Sequence, residues 1–93
     1  MQRRVHMIVT GRVQGVNYRG STRDKAMSLG IVGWVRNKTD GSVEILAEGD
    51  KFSMGAFIAW CERGPKWASV EELKATDETP RGEFAGFAVR RDG

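Results

Sequence analysis

Residues 9–19 read VTGRVQGVNYR, and the reading of this stretch decides the rest of the fold. It opens on β-branched residues, as a strand does, and then passes into a segment with glycines at 11 and 15. Glycine is favoured where backbone turns sharply or comes close to something bound. A strand therefore runs into a permissive loop, and Arg19 stands directly behind it. Downstream, Tyr18, Thr22, Ala26 and Leu29 recur at nearly helical spacing up to Gly30, which suits a helix C-terminus. The pattern Ser21-x-x-Asp24 offers a later helix start, but the apolar phase begins at Tyr18 and favours the earlier one. Upstream, Arg4–Thr10 extends the strand.

Further along, IVGWVRN (31–37) and SVEILAEG (42–49) are rich in β-branched and apolar residues, and Asp40-Gly41 between them is a hairpin turn pair. They are expected to pair antiparallel. Met54, Phe57, Ile58 and Cys61 follow the i, i+3, i+4, i+7 template of a second helix, which Gly64-Pro65 stops. WASVEEL (67–73) and FAGFAVR (84–90) both read as strands. The order is βαββαβ with one further short strand or extension, a ferredoxin-like α/β sandwich of the α+β class, with two helices on one face of an antiparallel sheet.

A chain of 93 residues is long enough for one two-layer core, so residues 1–93 are read as a single domain. With 40% hydrophobic and 29% charged residues, and no apolar run of bilayer length, the expectation is a cytoplasmic protein with no membrane association. The single cysteine, Cys61, rules out an intrachain disulfide, and one histidine leaves no Cys/His zinc cluster. The basic excess lies at the N-terminal end, where residues 1–25 hold six basic side chains against one acidic. That bias surrounds the glycine loop and would attract anions. A few solvated surface arginines would give the same count.

The loop lacks both the GK[ST] ending of a nucleotide P-loop and the GxGxxG spacing of a dinucleotide fold. What it can offer is a set of backbone N–H groups at a helix N-terminus, with the Arg19 guanidinium as a planar fork for phosphate or carboxylate. A plain turn is the alternative. Asn37 closes a strand next to turn residues, where its side chain commonly bonds backbone. Beside an anion loop, the same neutral amide could instead hold a water in line with phosphorus. His6 lies within an apolar strand, Cys61 on an apolar helix face, and Glu71-Glu72 and Asp77-Glu78 in polar segments. None of these makes a convincing nucleophile, metal site or proton shuttle, and the tryptophans and phenylalanines read as packing. A reaction run on positioning and charge stabilisation alone remains open, and hydrolysis of an activated phosphate is one.

VTGRVQGVNYR together with GWVRNKTDGSVEILAEG resembles the two signature motifs of the acylphosphatases, and the agreement in segment order extends over essentially the whole chain. The resemblance implies a ferredoxin-like fold and hydrolysis of acyl phosphates to a carboxylate and inorganic phosphate, with no metal, cofactor or covalent intermediate. It implies that the backbone of Gln14, Gly15, Val16, Asn17 and Tyr18 cradles the phosphoryl group, that Arg19 binds its oxygens, and that Asn37 orients the attacking water. Gly11, Gly15, Gly41 and Gly49 fall on glycines of the motifs. Two departures stand out. Tyr18 replaces the usual phenylalanine or methionine, so a buried hydroxyl needs a partner. The tail FAVRRDG ends in arginines where many members carry an aromatic, which would loosen the sheet edge.

The expected partner is a small acyl phosphate, with inorganic phosphate as product and no nucleic acid, and the protein is expected to be monomeric. Two other readings share the fold. One is an acylphosphatase-like interaction domain without turnover. The other is a small RNA-binding domain, which needs aromatics on its sheet; RGEFAGFAV begins like such a motif but has Glu83 where the first aromatic belongs.

Overall fold

The computed structural model describes residues 1–91; Asp92 and Gly93, the end of the arginine-bearing tail and of the expected 1–93 domain, lie outside the described residues. The elements are β1 (Gln2–Arg12), α1 (Tyr18–Ser28), β2 (Val32–Asn37), β3 (Val43–Asp50), α2 (Lys51–Arg63), β4 (Ser69–Glu78) and β5 (Phe87–Val89). They form one five-stranded sheet in the order β4-β1-β3-β2-β5. Helix α1 starts at Tyr18, as the apolar phase indicates, and α2 spans the predicted periodic run.

The sheet departs from the expectation in one respect. Four strands pair antiparallel, but β5 joins β2 in parallel, so the sheet is mixed. Strand β5 is also shorter than FAGFAVR suggests, because Phe84–Gly86 belong to the connection that brings the chain across the sheet from β4. The edge at β5 is not loose at Arg90. Its N–H donates to the Val35 carbonyl at 2.8 Å, and its guanidinium lies 4.9 Å from the centre of the Trp34 ring.

Period-two alternation sorts the residues of the central strands. Val5, Met7 and Val9 of β1 sit opposite Ala47, Ile45 and Val43 of β3, and all six are fully buried beneath the helices. Met54, Phe57 and Cys61 of α2 and Tyr18, Thr22 and Ala26 of α1 close the core. Burial pushes the Cys61 thiol up to about 12, so it is a packing residue without thiolate character. Not every aromatic packs as expected: Trp67 and Phe52 are exposed.

Tyr18 carries a hydrogen bond that its neighbours require. Within a helix, the Cys61 carbonyl would accept from the N–H of residue 65, but that residue is Pro65 and has none. The Tyr18 hydroxyl donates to this carbonyl at 2.6 Å, from a ring that is 1% exposed. The buried hydroxyl thus has its partner, and the start of α1 is fastened to the end of α2. Tyr18→Phe should lower stability by about 1–2 kcal/mol in urea unfolding, the cost of leaving a buried acceptor unsatisfied. An unchanged midpoint would show that water replaces the phenol.

The other sheet face holds charge in closed groups. Arg4 is buried and bonds three carboxylates: Glu48 (3.3 Å), Glu78 (3.0 Å) and Glu83 (2.7 Å). Glu48 also accepts from the N–H groups of Arg81 (3.1 Å) and Gly82 (2.7 Å), while the Arg4 guanidinium lies 5.2 Å from the centre of the Phe84 ring. These contacts pin the connection between opposite sheet edges. Burial pushes the Glu48 carboxyl up, but the two N–H groups and Arg4 outweigh it and hold it below the usual range. Its folded value is therefore depressed. Its stabilisation is present above the unfolded carboxyl value of about 4.3 and is lost as pH falls through the lower folded value. Because the group lies beneath a single loop with half-exposed partners, Glu48→Gln should cost about 3 kcal/mol at pH 7, the low end for a broken buried pair. The gap between variant and wild type should close below about pH 4 in acid unfolding series. A gap independent of pH would contradict the assignment.

Candidate active site

β1 and β2 both run antiparallel to β3, so they run parallel to each other, and β5 follows β2. Three strands therefore deliver their C-terminal ends to one end of the sheet. The alignment is close: Val43 of β3 has Val9 on one side and Asn37 on the other. At this end lies a cleft of about 330 Å³ whose lining includes Gly15, Asn17, Arg19, Arg23, Asn37 and Val89.

The loop that enters the cleft is shaped by backbone that few residues adopt. Gly15 has φ of 75°, and Asn17 sits at φ 59° as the residue before α1, a conformation asparagine tolerates better than most. Earlier, Gly11 (φ 120°) passes so near β4 that a Cβ there would stand 2.3 Å from the Ser69 carbonyl oxygen. A register shift between Thr10 and Gly11 accompanies this approach and bends β1 as it leaves the sheet. The first intrahelical bond of α1 runs from the Ser21 N–H to the Asn17 carbonyl at 3.1 Å. The N–H groups ahead of it thus have no partner of that kind, and the helix presents the positive end of its dipole at the cleft. The side chain of Asn17 makes no capping bond.

Of the five loop residues singled out in the sequence, Gly15, Asn17 and Tyr18 line the cleft. The side chains of Gln14 and Val16, as distinct from their backbone, are employed elsewhere. The Gln14 amide donates to the carbonyls of Lys38 (2.8 Å) and Ser42 (2.9 Å), tying the loop to the β2–β3 hairpin, and Val16 packs against the core. The hairpin is itself braced by Asp40, whose carboxylate accepts from the Ser42 hydroxyl (2.6 Å) and the Ser42 N–H (2.9 Å). Those two bonds, hydroxyl first, hold the Asp40 carboxyl below its usual range. The loop and the strand end bearing Asn37 are therefore joined as one frame.

Arg19 and Asn37 line the same cleft. Asn37 is 8% exposed, and its Oδ1 has no hydrogen-bond partner among the described residues. A buried acceptor left unpaired is costly and uncommon, and marks a place where a ligand or water donates. His6 is not in the cleft. Its Nε2 lies 2.7 Å from Glu44, which also accepts from Arg36 at 2.6 Å, in a closed group on the uncovered sheet face. Sequence reading missed Val13, Gly20, Arg23 and Val89 as lining residues. Arg23 follows Arg19 by four positions and could have been found by carrying the helical period forward. Val89 depends on the parallel pairing of β5, which no local pattern announces.

The acylphosphatase family model matches residues 5–89. An acylphosphatase of Methylococcus capsulatus is 54% identical over 90 residues, covering 97% of this chain and 98% of that protein. Among solved structures, the acylphosphatase of Bacillus subtilis aligns with a TM-score of 0.91 at 32% identity, covering 97% of this chain and 99% of that one. That of Coxiella burnetii also gives 0.91, at 35% identity over 96% and 93% of the two chains. With the motif loop, the strand ends and the cleft in the arrangement described, the chain belongs to the acylphosphatase family of hydrolases.

Proposed function

We propose that this cleft hydrolyses the carboxyl–phosphate bond of acyl phosphates by direct attack of water on phosphorus, with Arg19 and the Gln14–Tyr18 loop holding the phosphoryl group and Asn37 positioning the water. The observation that carries the reading is the buried Asn37 Oδ1 without a protein partner, in the same cleft as Arg19. Loop N–H groups, the α1 dipole and a guanidinium form a donor set for phosphoryl oxygens. In the loose transition state, negative charge spreads over those oxygens, and donors fixed in advance stabilise it without reorganising.

The water donates one hydrogen to Asn37 Oδ1, which turns a lone pair on its oxygen towards phosphorus. A new P–O bond forms as the bond to the acyl oxygen breaks. Both electrons of the broken bond leave with the carboxylate, and the water's proton passes to the phosphate product or solvent. A carboxylate departs without protonation by a strong acid, so the reaction asks for no histidine, carboxylic acid or metal at the leaving side. Positive charge that a metal provides in other phosphoryl transfers comes here from N–H groups and Arg19.

The same reading takes residues 1–93 as one domain acting as a cytoplasmic monomer on a small molecule, without nucleic acid. No helix among the described residues is long and apolar enough to cross a membrane. An RNA-binding role is disfavoured by the place of RGEFAG: Glu83 is paired with Arg4 and Phe84 packs against it, in the connection and not on a strand. The interaction-domain reading differs in predicting no turnover.

Benzoyl phosphate hydrolysis by wild type and Asn37→Ala, in chelator, with circular dichroism confirming both folds, tests the assignment. The variant should lose about 10²–10³-fold in kcat, the scale of a misplaced reactant, while inhibition by inorganic phosphate is retained. Turnover within a few-fold of wild type would remove Asn37 from the mechanism. An inactive, folded wild type would favour the interaction domain, and activity restored only by a divalent metal would contradict the metal-free route.

A further inference from the structure

Arg23 has no part in the mechanism above, yet it lines the same cleft. It stands four residues after Arg19 on α1 and hence on the same helix face, about 6 Å further along the axis at 1.5 Å per residue. It forms an ion pair with the adjacent Asp24 at 3.3 Å, between side chains that are 44% and 71% exposed. An open, single-contact pair of this kind holds a guanidinium weakly and yields it readily to another anion. The described residues lining the cleft include both arginines and no carboxylate.

This is more positive charge than one phosphoryl group at the helix mouth uses. The loop N–H groups, the helix dipole and Arg19 already face that group, whereas Arg23 lies a full turn away from the loop. Val89, 38% exposed, gives the same cleft an apolar surface for a carbon skeleton. We propose that Arg23 forms a second anion subsite at the cleft, selecting acyl phosphates whose acyl portion carries a further anionic group. The proposal rests on the hydrolytic reading above and assigns the substrate class within it. Arg23 acts as a specificity residue: it touches the far end of the substrate and not the reacting atoms. Such a contact is equal in the ground and transition states, so it appears in KM more than in kcat.

Benzoyl phosphate and 3-carboxybenzoyl phosphate share a ring and a leaving carboxylate, and the meta carboxylate is too rigidly held to attack its own acyl carbon. The quantity to compare is the ratio of their kcat/KM values at low ionic strength, in wild type, Arg23→Gln, Arg23→Lys and Arg23→Glu, each checked for folding by circular dichroism. Wild type should favour the carboxylated substrate by about fivefold, the scale of one half-exposed charge-assisted contact. Arg23→Gln should abolish the preference through KM, Arg23→Lys should keep part of it, and Arg23→Glu should reverse it. An identical ratio in wild type and Arg23→Gln would overturn the subsite. Equal losses on both substrates would also overturn it, by placing Arg23 on the transferred phosphoryl group. Wild type that hydrolyses neither substrate would contradict the hydrolytic reading itself, a result separate from a wild type that turns over benzoyl phosphate without discrimination.

Discussion

The pairing of β3 with β1 on one side and β2 on the other is the constraint on which the rest depends. One antiparallel neighbour on each side makes β1 and β2 parallel, and β5 then adds to β2 in the same direction. Strand ends distant in sequence therefore meet at one end of the sheet. The loop that follows β1, Asn37 at the end of β2 and Val89 at the end of β5 all reach the cleft because of this ladder. Ligand sites beyond the carboxyl ends of strands are familiar in open α/β sheets, and the geometric reason carries over. Gln14 then bonds the loop to the hairpin, so the two halves of the site hold their positions together.

Charge is sorted along the same architecture. On the uncovered face it is consumed internally, by Arg4 with its three glutamates and by Glu44 between His6 and Arg36. Those groups fix the crossing connection and the strand faces. In the cleft, two arginines stand at a helix N-terminus, and the described residues lining it include no carboxylate. The first arrangement satisfies its charges within the fold, and the second directs positive potential at whatever anion enters.

Much of this was legible in the sequence because local chemistry and the global fold agree. The glycines and Asn17 mark backbone that must bend, the apolar phase from Tyr18 marks the helix, and Asp40-Gly41 marks the hairpin. The need of the Tyr18 hydroxyl for a partner was readable too, although the partner follows only from Pro65 and the proximity of the two helix ends. What was not legible depended on contacts distant in sequence. The parallel pairing of β5, the packing of Phe84 over Arg4 and the entry of Val89 into the cleft all arise from how the chain crosses the sheet. The side-chain roles of Gln14 and Val16 are of the same kind, since a loop motif does not say which of its members face inward. Exposed Trp67 and Phe52 show the limit of taking large aromatics as core.

The account's central claim is that water held in this cleft attacks phosphorus and not the acyl carbon. Hydrolysis of benzoyl phosphate by the wild-type protein in water enriched in oxygen-18, with both products analysed by mass spectrometry, tests it most directly. The account predicts label in inorganic phosphate and none in benzoate beyond the uncatalysed background. Label in benzoate would mean attack at the carbonyl and would contradict the roles given to the loop, Arg19 and Asn37.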